Sequence, residues 1–213
     1  YQLVFPVYAL GISFSCAGTE LALSRCVAQE NAAGHPEKAK ELLKTGLIFT
    51  FVLSCILTIF LQHNAHMTAI SFLHDSRCEE LLILLSYTFP FASIHSCICG
   101  YSLGLKQTKI PAVSQLFEQT FRILFVFLFC YYRTSHQLDL SISFAVVGLA
   151  MGEIFASCYC LYSIHHTASK QVQNLLSAST FCIHLSRLFR HAFPLTASRV
   201  LLNILQSIEA VSI

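Results

Sequence analysis

The 213 residues describe an all-α, polytopic transmembrane helix bundle of about six spans, and three observations say so. Hydrophobic residues make up 55% of the chain and charged residues only 11%, whereas soluble domains carry about 25% charged residues. Apolar runs recur close to the roughly 20 residues that one helical bilayer crossing needs. The loops between them alternate between rich and poor in Lys and Arg, a pattern that membrane insertion imposes and solubility does not.

The expected crossings are 3–28, 42–62, 81–105, 110–132, 138–164 and 192–213. Gly34-His35-Pro36 breaks the chain after the first. Ser76 followed by Glu79, with Asp75 just ahead, is a capping box opening the third. Pro90 lies inside that span and predicts a kink of the kind membrane helices tolerate. Pro111 falls in the first turn of the fourth, where its missing N–H costs nothing. Gly100 with Gly104 and Gly148 with Gly152 give small-xxx-small faces for close helix contact. Between the fifth and sixth crossings, Phe181, Leu185, Leu188 and Phe189 gather on one side of a stretch near 180–191. His184, Arg187, Arg190 and His191 keep mostly to another, predicting an amphipathic helix at the membrane interface.

Loop charge sets the threading. The first loop carries Arg25, Lys38, Lys40 and Lys44, the third Lys106 and Lys109, and the fifth Lys170, Arg187 and Arg190. The second has only Arg77 and the fourth only Arg133. Loops one, three and five are therefore cytoplasmic, with Tyr1 outside.

Other classes fall away. A net charge of +2, spread over loops, offers no nucleic-acid stripe, and there is no Gly-rich phosphate loop. No serine has a positioned His–Asp pair, so enzyme chemistry, a cofactor and a metal centre are not expected. Cys16, Cys55, Cys97, Cys99, Cys130, Cys158 and Cys160 sit in or at the ends of spans, where they act as small soft hydrophobes. Within Cys97/Cys99 and Cys158/Cys160 the two side chains point about 200° apart on a helix, which suits neither a shared metal nor a disulfide. The histidines gather in loops (His63, His66, His74, His165, His166, His184, His191) and are read as solvated. The chain begins at Tyr1 rather than Met, has no signal peptide and stops within an apolar run at Ile213, so it is expected to be a fragment.

Ionisable residues inside spans are costly and mark function. In the fourth span Gln115, Glu118 and Arg122 fall on one face, and the last two are spaced to pair. In the sixth, Arg199, Asn203, Gln206 and Glu209 form a second stripe, and Arg199 has no carboxylate at i±3 or i±4. Ser13, Glu20 and Ser24 share a face of the first span, Arg25 marks its end, and Glu153 stands beside the Gly148/Gly152 face of the fifth. Such stripes face a bundle interior or a wet cavity; the alternative is that they bridge helices and serve packing alone.

Three blocks carry a family resemblance. The first is Tyr1-Gln2-Leu3-Val4-Phe5-Pro6-Val7-Tyr8 with Ala17-Gly18 and Leu21-Ala22-Leu23-Ser24-Arg25-Cys26-Val27-Ala28. The second runs from Gly100-Tyr101-Ser102-Leu103-Gly104-Leu105 through Lys109-Ile110-Pro111-Ala112-Val113-Ser114-Gln115 to Glu118-Gln119 and Arg122. The third is Phe193-Pro194-Leu195-Thr196 with Arg199 and Ile208-Glu209. Together they resemble the stage V sporulation protein B-like polysaccharide biosynthesis and export family, a branch of the multidrug, oligosaccharidyl-lipid and polysaccharide flippase superfamily. Glu20 departs from the pattern, where a Pro or apolar residue is expected.

The resemblance implies two six-helix lobes around a cavity, working by alternating access in the bacterial plasma membrane. Residues 1–166 would be helices two to six of the N-terminal lobe of a MATE-like flippase, with the first helix missing. Residues 167–191 would be a cytoplasmic amphipathic linker, and 192–213 the start of helix seven. The implied partners are membrane lipid, a lipid-linked oligosaccharide, polysaccharide or cell-wall precursor, and a coupling ion, H+ or Na+. On this reading Arg25, Arg122 and Arg199 offset an anionic headgroup, and Gln115, Glu118, Asn203, Gln206 and Glu209 complete the cavity lining. The alternatives are a multidrug or cation antiporter of the MATE type, using Glu20, Glu118, Glu153 and Glu209 for ion exchange, and a non-transporting membrane scaffold.

Overall fold

The computed structural model describes residues 4–71, 78–135, 143–168 and 178–212, and the elements among them are all helical. In order they are α1 (Val4–Ile12), a π-helical turn (Ser13–Ala17), α2 (Gly18–Ala32), α3 (Pro36–His63), α4 (Ala65–Ser71), α5 (Cys78–Ser86), α6 (Thr88–Gly104), α7 (Lys109–Ser135), α8 (Ser143–Ala168) and α9 (Ala178–Ser212). Five stretches of the described residues are long and apolar enough to cross a bilayer: Val7–Ala32, Pro36–His63, Glu79–Gly104, Lys109–Tyr132 and Ala145–His165. The expected capping residues Asp75 and Ser76 lie outside the described residues.

Each interruption has a local cause. The π turn in the first span is held by hydroxyls that satisfy loosened carbonyls: Ser15 Oγ donates to Gly11 O at 2.9 Å and Thr19 Oγ1 to Cys16 O at 2.8 Å. Such bulges relieve a helix of its regular bonding and recur at functional sites. The third span is split at Tyr87. Pro90 has no N–H to offer the Ser86 carbonyl four residues back, and Thr58 Oγ1 on α3 supplies the missing donor at 3.0 Å. Gln62 Nε2 adds a bond to Ser86 Oγ at 3.0 Å. The kink expected at Pro90 is thus a break three residues earlier, at Tyr87, stitched to the neighbouring helix. Gly34, at φ +77, turns the chain between α2 and α3.

Glycines set how closely the helices approach. A Cβ on Gly100 would stand 2.6 Å from Glu20 O, and one on Gly104 2.7 Å from Ser24 O, so α6 lies directly on the backbone of α2. A Cβ on Gly152 would stand 2.8 Å from Glu118 O, which places α8 on α7 in the same way. Aromatic rings fill the rest of that seam: Phe121 stacks on Phe155 at 4.0 Å between centroids and Phe117 on Tyr159 at 4.9 Å. Helix α7 packs mainly on α8, and only 6% of its apolar window is buried. Leu116, Ile123, Phe127 and Tyr131 are left on an open apolar face.

Helix α9 differs from expectation. The amphipathic stretch and the apolar run after it form one unbroken helix across residue 191, even though Pro194 lies inside. Part of its basic face is turned inward, while Arg190 stays exposed. Leu188 and Ala192 join a core cluster with Leu23, Val27, Leu42 and Leu43 of α2 and α3. His184, read from the sequence as solvated, is buried and bonds Glu41 at 3.3 Å. Arg187 reaches Glu30 Oε1 at 2.5 Å and Gln29 Oε1 at 3.1 Å, while Phe189 is the exposed residue. The carboxylates of α2 and α3, invisible from α9 alone, turned the helix over. The same cluster draws in Leu105 and Ile164, so the ends of α2, α6 and α8 meet α9 at one end of the bundle. The described basic residues of the first, third and fifth loops share that end, as the charge alternation predicts.

Candidate functional site

The bundle encloses a string of ionisable groups contributed by α2, α6, α7 and α8. His95 is its centre. Its Nδ1 lies 3.3 Å from Glu153 Oε2 on α8 and its Nε2 3.0 Å from Ser114 Oγ on α7. The His95 and Glu153 side chains are 12% and 9% exposed, so this pair is sealed within protein. Glu118 pairs with Arg122 one turn along α7, as its spacing predicts. His95, Glu118 and Glu153 bring donor atoms within 4.8 Å of one another. On the other side of α6, Ser96 Oγ donates to Glu20 Oε2 at 2.9 Å.

The close-packing glycines make this string possible. Gly152 precedes Glu153 and lets α8 sit against the Glu118 carbonyl, which brings two carboxylates and one guanidinium to the same depth. Arg122 Nη1 also reaches Gln119 at 3.4 Å, but its buried Nε has no hydrogen-bond partner among the described residues. A buried donor left unmatched is costly. Glu118 offsets Arg122 within the string. Ser114 commits its single hydroxyl hydrogen to Pro111 O at 2.9 Å. Nε2 therefore donates to Ser114, while one hydrogen is shared between Nδ1 and the Glu153 carboxyl.

The sequence-expected cavity residues divide. Glu118 and Arg122 belong to the buried string. Gln115, on the same helix, is exposed. Arg25 is exposed midway along α2, and Arg199 is exposed on α9 without an ion pair among the described residues. Arg199 is nevertheless near enough to act electrostatically on Glu20. Asn203 donates to Ala9 O at 3.2 Å and to Ser13 Oγ, so it ties α9 to the first span across the π turn. The side chains of Gln206 and Glu209 lie outside the described residues.

His95 lies inside a span and is not among the loop histidines that the sequence singles out. The signal available was a histidine in the middle of an apolar run with Cys99 one turn on. Cys99 and Cys160 are also brought together with His95, all three donor atoms lying within 4.8 Å. Opposed directions separate cysteines two apart on one helix, but Cys99 and Cys160 come from two helices.

Apolar helices of crossing length around sealed ionisable groups define a multi-pass membrane protein with a polar interior. Known proteins narrow this further. The model of the polysaccharide biosynthesis protein family matches residues 1–213, and the chain belongs to that family. It is 25% identical over 206 residues to stage V sporulation protein B of Bacillus subtilis (strain 168), covering 96% of this chain and 40% of that protein. It superposes on an inward-facing multidrug resistance MATE family transporter of the MOP superfamily with a TM-score of 0.67 at 16% identity. That match covers 95% of this chain and 46% of the other, and is a likeness of fold. The chain therefore spans less than half the length of either relative. Family and helices together make it a multi-pass plasma-membrane protein.

Proposed function

We propose that the protein is a transporter that flips or exports lipid-linked oligosaccharide, polysaccharide or cell-wall precursors by alternating access. In this reading the chain supplies helices two to six of one lobe, with α9 as the amphipathic linker and the start of helix seven. Family membership supports the substrate class. The observation that carries a transport role is the buried string itself, because ionisable groups sealed among membrane helices mark ion or substrate pathways.

The chemistry of the string favours H+ over Na+ as the coupling ion. Na+ seeks hard oxygen ligands, as other hard cations do, whereas the centre here is an imidazole bridging a carboxylate and a hydroxyl. His95 can hold or release a proton within this framework, and the loss of the shared hydrogen unbalances Glu153. Arg199 and Arg25, exposed and without ion pairs among the described residues, are the cations available to a phosphate headgroup. A second reading, a multidrug or cation antiporter of the MATE type, draws on the same carboxylates, Glu20, Glu118 and Glu153.

The test uses the protein expressed from its full gene and reconstituted in vesicles with a fluorescently tagged polyprenyl-phosphate saccharide. An impermeant quencher reads how fast the inner-leaflet label becomes accessible. Acceleration that Arg199→Ala abolishes at normal protein abundance supports flipping. Efflux of a cationic dye under a pH gradient, with no effect on the lipid, supports the antiporter. If Arg199→Ala merely lowers abundance and neither cargo moves, the protein is a scaffold.

A further inference from the structure

The transport reading uses one edge of the His95 ring and leaves the other edge unexplained. Beyond Nε2 lie Cys99 of α6, 7% exposed, and Cys160 of α8, fully buried. Cys99 Sγ is 3.5 Å from Ser114 Oγ, the same oxygen that Nε2 meets at 3.0 Å. Two sulfurs and an imidazole nitrogen within 4.8 Å of each other form a ligand set, not a packing accident of one cysteine. We propose that His95, Cys99 and Cys160 form a binding site for a thiophilic metal ion of the Zn2+ or Cd2+ class, with Ser114 Oγ or a water in the fourth position.

Three features fit. Tetrahedral zinc bonds of about 2.3 Å to sulfur and 2.0–2.1 Å to nitrogen set donor atoms roughly 3.5–3.8 Å apart, so closure on an ion takes about 1 Å of contraction. Two thiolates neutralise a divalent ion, so the metal, its two sulfurs and a neutral imidazole carry no net charge, and the Glu153 carboxylate at Nδ1 is the one charge left over. Glu153 bonds Nδ1 on the far side of the ring, which is the carboxylate–histidine–metal arrangement that orients a ligand imidazole and raises its basicity.

The proton balance is explicit. From a ring carrying hydrogen at Nε2 and two thiols, binding one M2+ forms one M–N and two M–S bonds and releases three protons, one from Nε2 and one from each sulfur, while the hydrogen between Nδ1 and Glu153 stays. Metal and the Nε2 proton therefore compete for one lone pair. The carboxylate trio of His95, Glu118 and Glu153 is a different, harder donor set around the same ring, and it does not share the sulfurs.

Cd2+ titrated into the purified, reduced protein tests this directly. The ultraviolet thiolate-to-cadmium charge-transfer band is expected to saturate at one equivalent, to disappear in Cys99→Ser and in Cys160→Ser, and to persist in Cys158→Ser, which alters an exposed cysteine on the same helix. Glu153→Gln should weaken binding by about tenfold or more, because an amide oxygen can accept from Nδ1 but lacks the charge that raises the basicity of the ring. Where a variant does not fold, cadmium NMR of the unmodified protein decides, because its shift reports the sulfur count. Two sulfurs and one nitrogen support the site. A band indifferent to both Cys99 and Cys160, no band at all in folded protein, or a Cys99–Cys160 disulfide that resists reduction overturns it.

Discussion

Gly152 is where the effect of a single methyl group can be set against a matched glycine on the same helix. A Cβ placed there stands 2.8 Å from the Glu118 carbonyl oxygen and 3.4 Å from Arg122 Cβ. Reaching ordinary contact with that oxygen requires about 0.6 Å of separation, and a backbone carbonyl cannot rotate away as a side chain can. Helix α7 must move as a body, and overpacking of this kind costs about 1–3 kcal/mol. Gly148 provides an internal comparison. A Cβ there meets Val126 Cγ2 at 2.6 Å, a side-chain atom that can yield, while the nearest carbonyl, that of Arg122, is at 3.3 Å. Gly152→Ala should therefore destabilise the protein more than Gly148→Ala does, and Leu161→Ala, an exposed position on the same helix, should stay within about 0.5 kcal/mol of the parent. Unfolding in mixed micelles by added SDS, followed by circular dichroism, gives the three values. Equal stability of Gly152→Ala and parent, or a reversed order of the two glycines, would refute the claim that backbone contact holds α7 on α8.

Two further outcomes are open to measurement. Thr58→Val keeps the shape of the side chain but takes the donor from the Ser86 carbonyl that Pro90 leaves unmatched; because Thr58 also bonds Ser54 O at 2.8 Å, the loss should be near 1 kcal/mol rather than the upper end of about 1–3 kcal/mol for a buried orphan, read by the same SDS titration. For threading, cysteines introduced at Lys40 and at His66 should react with an impermeant maleimide from opposite sides of intact vesicles, Lys40→Cys from the cytoplasmic side; same-side labelling would undo the alternation of the loops.

Much of this architecture was written in the chain at short range. Spans, the turn at Gly34 and the Glu118–Arg122 pair follow from spacing along one helix. The two glycine faces did mark the α6–α2 and α8–α7 contacts. What spacing cannot say is which neighbour a face meets. His95 and Glu153 are 58 residues apart, and no periodicity within α6 points to α8. Arg187 and His184 looked like a wet face because their acceptors, Glu30 and Glu41, belong to other helices. Asn203 looked like cavity lining and is instead a strut to Ala9 and Ser13. The split at Tyr87 was legible as a proline effect, but the repair by Thr58 was not.

Helix α9 is fastened on both sides of its proline. Before Pro194, Arg187 and His184 grip α2 and α3; beyond it, Thr196 presses against Gly18 and Asn203 clasps the π turn. The Arg190 carbonyl, facing a ring nitrogen without hydrogen, has lost its helical donor. Torque applied to either end of this rod has a single weak joint in which to collect, like a wrist held between two cuffs. That joint lies beside the bulge of the first span, so these two of the bundle's irregular places can give together, apart from the third at Tyr87, which Thr58 and Gln62 pin.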